Sequence, residues 1–218
     1  MKILATLMWL TFLLPTSGAG NLFSFPNAHG TGQGIPEGAD VSLELPGRAK
    51  IGDTIEGRFI VRNTGTTAFK ISTGGDYRSQ GVPQRLRVRV TDSTGKVLPD
   101  RTQGMMFFGG ILRPATIEPG KSYEIGCPLD AYVIFPNPGT YTLEAAHDLG
   151  WKVDDAHPHP VAKTKIEIAL PSPEEAADRV RVLCAAQDEA HARRQLFKLQ
   201  HPVFFPALIS EEIGRAHV

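Results

Sequence analysis

What the chain has little of narrows the field first. It has no surplus of charge, since 23 Lys and Arg residues stand against 23 Asp and Glu. A generic nucleic-acid binder needs excess cations to displace the counterions of a phosphate backbone, so nucleic acid is not expected as a partner, although a local basic patch is still compatible. The chain has no G-x-S-x-G, H-E-x-x-H, phosphate-loop or C-x-x-C signature. No catalytic residue is assigned, the chain is read as non-enzymatic, and no cofactor is expected. Cysteine is scarce, with Cys127 and Cys184 alone. Two cysteines do not make the dense disulfide framework of a small secreted scaffold, and whether these two pair stays open. Long apolar runs are lacking as well. The one near the start, Ile3 to Leu14, falls short of the ~20 residues a membrane-spanning helix needs.

That run follows Lys2 and ends in small residues, the layout of a secretory signal peptide. Ser17 and Ala19 occupy the small-residue positions before a cut between Ala19 and Gly20. Residues 1–19 are therefore expected to be removed on export, leaving a periplasmic or extracellular bacterial protein without a membrane span. Residues 20–40 form a polar, Gly-rich linker. Its GTGQG neither follows a strand nor opens a helix, so it is not a phosphate loop.

From Val41 the apolar period becomes two. Val41, Leu43 and Leu45 share one face, as do Ile55, Phe59 and Val61 with Glu56, Arg58 and Arg62 opposite. AFKIS is a short strand, and Leu86, Val88 and Val90 alternate with Arg87 and Arg89. SYEIGCPL, TYTLEAA and AKTKIEIAL complete a set of seven or eight strands, the last burying Ile166, Ile168 and Leu170. Turn residues separate these segments and no helical pattern alternates with them. That predicts a mainly β chain, an antiparallel sandwich over residues 41–171 with a short α-helical C-terminal segment.

The stretches VRNTGTTAF, LRVRVTDSTGKVLP, IEPGKSYEIGCPL and NPGTYTLEA resemble the strand-and-turn grammar of bacterial immunoglobulin-like or fibronectin-III-like accessory domains. The bacterial intracellular-proteinase-inhibitor-like domains share it. The resemblance implies an Ig-like fold and leaves the function open. Within it, PGTY resembles a tyrosine corner, which gives Tyr141 a structural role.

Three stretches are candidates for function. HDLGWKVDDAHPHP gathers His147, Asp148, Asp154, Asp155, His157 and His159, ligand types suited to zinc. No ligand spacing matches a defined site, and Pro158 and Pro160 favour an extended, solvated loop, so no metal is expected. Arg85, Arg87 and Arg89 fall on one outer face, and Arg58 and Arg62 are candidates to lie beside them. A solvated sheet face is the simpler reading, and an acidic glycan or acidic partner is the functional one. The loop of residues 100–114 carries Met105, Met106, Phe107, Phe108 and Ile111 among glycines. It is expected to fold over one end of the sandwich, the alternative being a partner contact.

Helical grammar begins at SPEEAADRVRVLCAAQ, with Ser172 as N-cap, Pro173 at the first position and Glu175 completing a capping box. The PVFFPALIS that follows, through Pro202, Pro206, Ala207, Leu208 and Ile209, is similar to the opening of a helix in HEAT-like repeats. The helical segment is read as residues 172–211, the start of such an array. EIGRAHV resembles a translated sequencing-library adapter, so residues 212–218 are read as an artefact and the chain as a fragment. A two- or three-helix cap docked on the sandwich is the alternative. The expectation is a non-enzymatic, exported binding or scaffolding fragment that meets a protein partner or a cell-envelope glycan. The alternatives are an accessory domain of a larger exported enzyme and an inhibitor-like domain.

Overall fold

The computed structural model describes residues 23, 25, 33–74, 85–103, 111–154 and 156–216. Their strands are β1 (Ala39–Glu44), β2 (Arg48–Lys50), β3 (Glu56–Asn63), β4 (Phe69–Gly74), β5 (Leu86–Thr91), β6 (Leu112–Ile117), β7 (Ser122–Pro128), β8 (Gly139–His147) and β9 (Val161–Ala169). A short helical turn, α1 (Leu129–Tyr132), sits between β7 and β8. Three helices close the chain: α2 (Pro173–Cys184), α3 (Glu189–Leu196) and α4 (Phe205–Ala216), the last entered through a single 3-10 turn at Pro202–Phe204.

The chain is mainly β, an Ig-like sandwich with helices at its C-terminal end. One sheet runs β1-β3-β7 and the other β2-β9-β8-β5, while β4 and β6 form a separate pair. Period-two alternation sets which residues meet between the sheets. Phe59, Val61, Leu143, Ile166 and Ile168 are each at most 1% exposed, and Val88, Val90 and Tyr141 are buried with them. Each such side chain contributes roughly 1.5–3 kcal/mol by leaving water. Leu170, expected inside with its neighbours, is 46% exposed because β9 ends at Ala169 and pairing no longer holds the chain against the core.

Two strands differ from the sequence expectation. β2 pairs with β9 in parallel, Ala49 opposite Ile168, so the chain crosses from one sheet to the other after Glu44; the other strand pairs among the described residues are antiparallel. β6 begins inside the stretch read as a loop. Pro114 is accommodated there because, among the described residues, β6 pairs with β4 alone, and a strand edge does not need every N–H. Asn63, fully buried, ties the third pair to the sandwich. Its Nδ2 donates to the Thr67 and Ile117 carbonyls at 2.9 and 2.8 Å, and its Oδ1 accepts from Gly65 N–H at 3.0 Å. The Tyr141 hydroxyl donates to the Asn137 carbonyl at 2.7 Å and pins the turn that opens β8.

The helices dock against the end of the sandwich. Ser172 Oγ accepts from Glu175 N–H at 3.2 Å, and the Glu175 carboxylate accepts from Ser172 N–H at 2.8 Å, which starts α2 at a fixed angle. Ala176 and Val180 of α2 are buried, and so are Leu199 and Phe204. Gly52 lies at the contact with φ +85°, and a Cβ there would sit 2.7 Å from Phe204 Cζ and 2.8 Å from Leu199 Cδ2. Only glycine permits both that backbone and that approach. Ion pairs Lys50–Glu175, Asp53–Arg179 and Asp130–Lys198 stitch the rim.

The apolar residues around the start of α4 divide. Phe204 is fully buried and Val203 and Leu208 are half-buried, whereas Phe205 and Ile209 remain 46% and 57% exposed. The backbone read as adapter-derived is helical as far as Ala216, without a break at Glu211. The structure holds Cys127, buried in β7, and Cys184, at the end of α2, as thiols. Burial pushes the Cys127 thiol up to about 12.

Candidate functional site

The polar residues of the His-rich stretch are built by the way β8 ends. After His147 the chain turns through Leu149, a non-glycine residue at φ 46°, and Gly150 at φ 75°. The turn is held in place by backbone: Ser72 N–H donates to the Leu149 carbonyl at 2.8 Å. Trp151 Nε1–H donates to the Lys70 carbonyl at 3.1 Å. This fastens the end of β8 to β4 and draws two polar side chains out of water, contrary to the extended, solvated loop expected from the prolines.

Asp148, on the outer side of this turn, meets Arg85, which immediately precedes β5. Arg85 Nε donates to Asp148 Oδ2 at 3.0 Å and Nη2 to Oδ1, a bidentate pair. Arg85 Nη1 also donates to the Ser72 carbonyl and hydroxyl at 2.9 and 3.1 Å, and Gly150 N–H donates to Asp148 Oδ1 at 3.1 Å. The two side chains are only 11% and 5% exposed. Arg85 is thus a structural member of the fold and not part of an open arginine row. The alternation shows which face it lies on, but its bonds to Ser72 of β4 and to Asp148 take it out of water.

His147 points into the core, 6.3 Å from the Phe59 ring by centroids, and its Nδ1 accepts from Leu149 N–H at 2.9 Å. Burial, with the nearby Arg85 and Arg87 cations, holds its pKa down to about 3 against the raising effect of Asp148. It is a neutral imidazole at ordinary pH. His159 is also buried and shifted down by burial, and its Nδ1 has no hydrogen-bond partner among the described residues. Phe25 packs edge-on against its ring at 4.6 Å, and the Arg87 guanidinium lies 5.9 Å from the Phe25 centroid. Phe25 thus lies against His159 and Arg87 at the end of the outer sheet face, where Ala146 is fully buried although its register points it outward.

The other members of the stretch lie apart. Asp154 accepts from His157 N–H at 2.7 Å, and this lowers its pKa on a fully solvated loop. Asp155 lies outside the described residues. Among the described residues no group of three or more His, Cys, Asp or Glu side chains converges as a metal site. Met105, Met106, Phe107 and Phe108 also lie outside the described residues, while Ile111 at their C-terminal side is 65% exposed.

What is left open to solvent is the remainder of the β2-β9-β8-β5 face. Register places Arg87 opposite Ala146, Arg89 opposite Glu144, Glu144 opposite Lys163 and Thr142 opposite Lys165. Arg48 of β2 lies beside Glu167. The face thus carries Arg48, Lys50, Arg87, Arg89, Lys163 and Lys165 against Glu144 and Glu167. Lys163 pairs with Glu144 at 3.1 Å and Arg48 with Glu167 at 2.8 Å. Among the described residues Arg89 and Lys165 have no carboxylate partner. Lysines of β9 and Arg48 of β2 were not among the sequence candidates. Their own strands show which way they point, but only the β5-β8-β9-β2 order puts them beside the arginines.

No family model and no curated protein matches the chain. Among solved structures, a CARDB domain from Pyrococcus furiosus in complex with di-metal ions is similar at 12% identity and a TM-score of 0.30, over 67% of this chain and all of that one. A β-glucosidase from Erythrobacter marinus (14% identity, TM-score 0.31) and one from Listeria innocua in complex with glucose (12%, TM-score 0.31) each align with 60% of this chain. The chain spans only 16% of the length of either glucosidase. At these TM-scores the likenesses carry nothing about chemistry, and the fold rests on the strand pairing given above.

Proposed function

We propose that this chain is a non-enzymatic, exported binding module whose basic sheet face meets an acidic partner of the cell envelope. The observation that carries the reading is the surplus of cations on that face in a chain whose overall charge is balanced. A sheet fixes the spacing of the charges, and spaced charges on an exposed face steer and orient an acidic surface or chain more than they hold it tightly. Among the buried groups, Arg85 and Asp148 neutralise each other and His147 is sealed in the core. That is the pattern of groups used for folding, and it supports a binding reading over a catalytic one. Export is inferred from the sequence of residues 1–19. Among the described residues no helix is long and apolar enough to cross a membrane.

The C-terminal helices support a scaffolding role. Phe205 and Ile209, one turn apart on α4, stay exposed, as the inner face of a HEAT-like repeat does before a neighbour stacks on it.

The test uses the chain from residue 20 onward and an acidic polysaccharide, polygalacturonate, as probe. Calorimetry at low salt should show binding that weakens about tenfold when ionic strength rises from about 0.05 to about 0.3 M. The Arg89→Glu/Lys165→Glu variant should lose it. Equal binding by that variant, or no binding at low salt, overturns the acidic-glycan reading.

A further inference from the structure

The opposite face of the sandwich carries the opposite charge. On β1-β3-β7 the outward positions are Asp40, Ser42 and Glu44; Glu56, Arg58, Ile60 and Arg62; and Ser122, Glu124 and Gly126. Four carboxylates stand against two guanidinium groups. Arg58 is held between Glu44 and Glu124, its Nη2 2.6 Å from one and its Nη1 3.1 Å from the other. Register sets Asp40 opposite Arg62. Glu56, at the far end of β3 beside Pro128, has no cation partner among the described residues. The β2-β9-β8-β5 face has six cations against two carboxylates. A chain with no net charge is therefore a plate with one basic and one acidic side.

The two sides act separately. Stacked sheets lie about 10 Å apart, and outward side chains add several ångströms on each side. The distance between the outer charges thus exceeds the Debye length of about 10 Å at 0.1 M salt. An approaching surface feels the face it meets. Two basic faces or two acidic faces repel, and only the unlike pair attracts.

We infer that the basic face of one copy docks on the acidic face of a second copy of this chain. The inference rests on the proposed reading in taking the basic face as the binding surface, and it names the partner. Charge complementarity favours this occupant: the open cations Arg89 and Lys165 meet a face whose open carboxylate is Glu56, and both surfaces are sheet faces. The contact is heterologous, because each copy uses two different faces. It leaves an unused basic face at one end and an unused acidic face at the other, so stacking continues and does not close at a dimer. Exposed ion pairs are individually weak, so association is expected only at about 0.1–1 mM protein and low salt.

Sedimentation velocity tests this on the chain from residue 20 onward. The expected result is a weight-average sedimentation coefficient that rises with concentration at low salt and returns to the monomer value at about 0.3 M salt. Arg89→Glu/Lys165→Glu, with two acidic faces, and Glu56→Lys/Glu124→Lys, with two basic faces, should each be monomeric alone. Mixed in equal amounts they should associate again. All four positions are on the solvent face, and unchanged thermal unfolding of each variant checks that the fold survives. A wild-type chain that stays monomeric at low salt overturns the inference, as does a mixture that fails to restore association, or a variant that associates like wild type. Polygalacturonate binding by a chain that stays monomeric overturns stacking and keeps the acidic-glycan reading. Stacking without polygalacturonate binding does the reverse.

Discussion

The Arg85–Asp148 pair gives the sharpest energetic prediction. Asp148→Ala removes both carboxylate oxygens from a guanidinium that is 11% exposed. It also leaves Gly150 N–H without its acceptor. Breaking a buried ion pair from one side costs about 3–5 kcal/mol, mostly because the remaining charge is stranded. Arg85 keeps its two bonds to Ser72, so the low end, about 3 kcal/mol, is expected here. For a chain of this size that corresponds to a fall in Tm of about 6–12 °C. Urea unfolding followed by the fluorescence of Trp151, buried immediately after Gly150, reads the loss directly. The double variant Arg85→Met/Asp148→Leu removes both charges and should recover at least ~2 kcal/mol of it. A loss below ~1 kcal/mol for Asp148→Ala, or a double variant no more stable than the single one, would refute the view that this pair is a desolvated clamp between β4, β5 and the end of β8.

Three further outcomes follow from named contacts. His147 is neutral in the fold, with a pKa near 3, and ordinary when unfolded, near 6.5, so the unfolded chain binds the proton first as pH falls. Its contribution is intact above pH 6.5 and is lost progressively toward pH 3, by at most ~1.4 kcal/mol per pH unit; His147→Gln should flatten that part of the stability–pH profile, and an unchanged slope counts against the assignment. Gly52→Val should undock the helices by forcing a Cβ into Phe204 and Leu199, seen as faster amide exchange in α2 and α4 with the sandwich core still protected. Tyr141→Phe should cost about 0.5–1.5 kcal/mol through loss of the bond to the Asn137 carbonyl, and no measurable change would make the corner ornamental.

The faces of individual strands were legible in the sequence because a strand's period is local. Val88 and Val90 lie inside, and Arg87 and Arg89 lie outside, wherever β5 happens to be placed. The capping box at Ser172 was legible for the same reason, since all its atoms fall within four residues. Strand order was not. That Arg48, 119 residues before Glu167 in sequence, ends up beside it depends on β2 crossing to the second sheet, which no local pattern announces. Proline spacing pointed His147 and Asp148 toward solvent, but tertiary contacts with Ser72, Lys70 and Arg85 buried them, because many weak long-range bonds made together outweigh a local turn preference. The docking of Phe204 over Gly52 was hidden for a similar reason: the sequence showed an apolar side chain and a glycine, and only the assembled fold showed that each leaves room for the other. Alternation along each strand thus determined which charges are outward. The pairing of distant strands decided that they gather as one basic and one acidic plate, because charges combine by distance in space and not by distance along the chain.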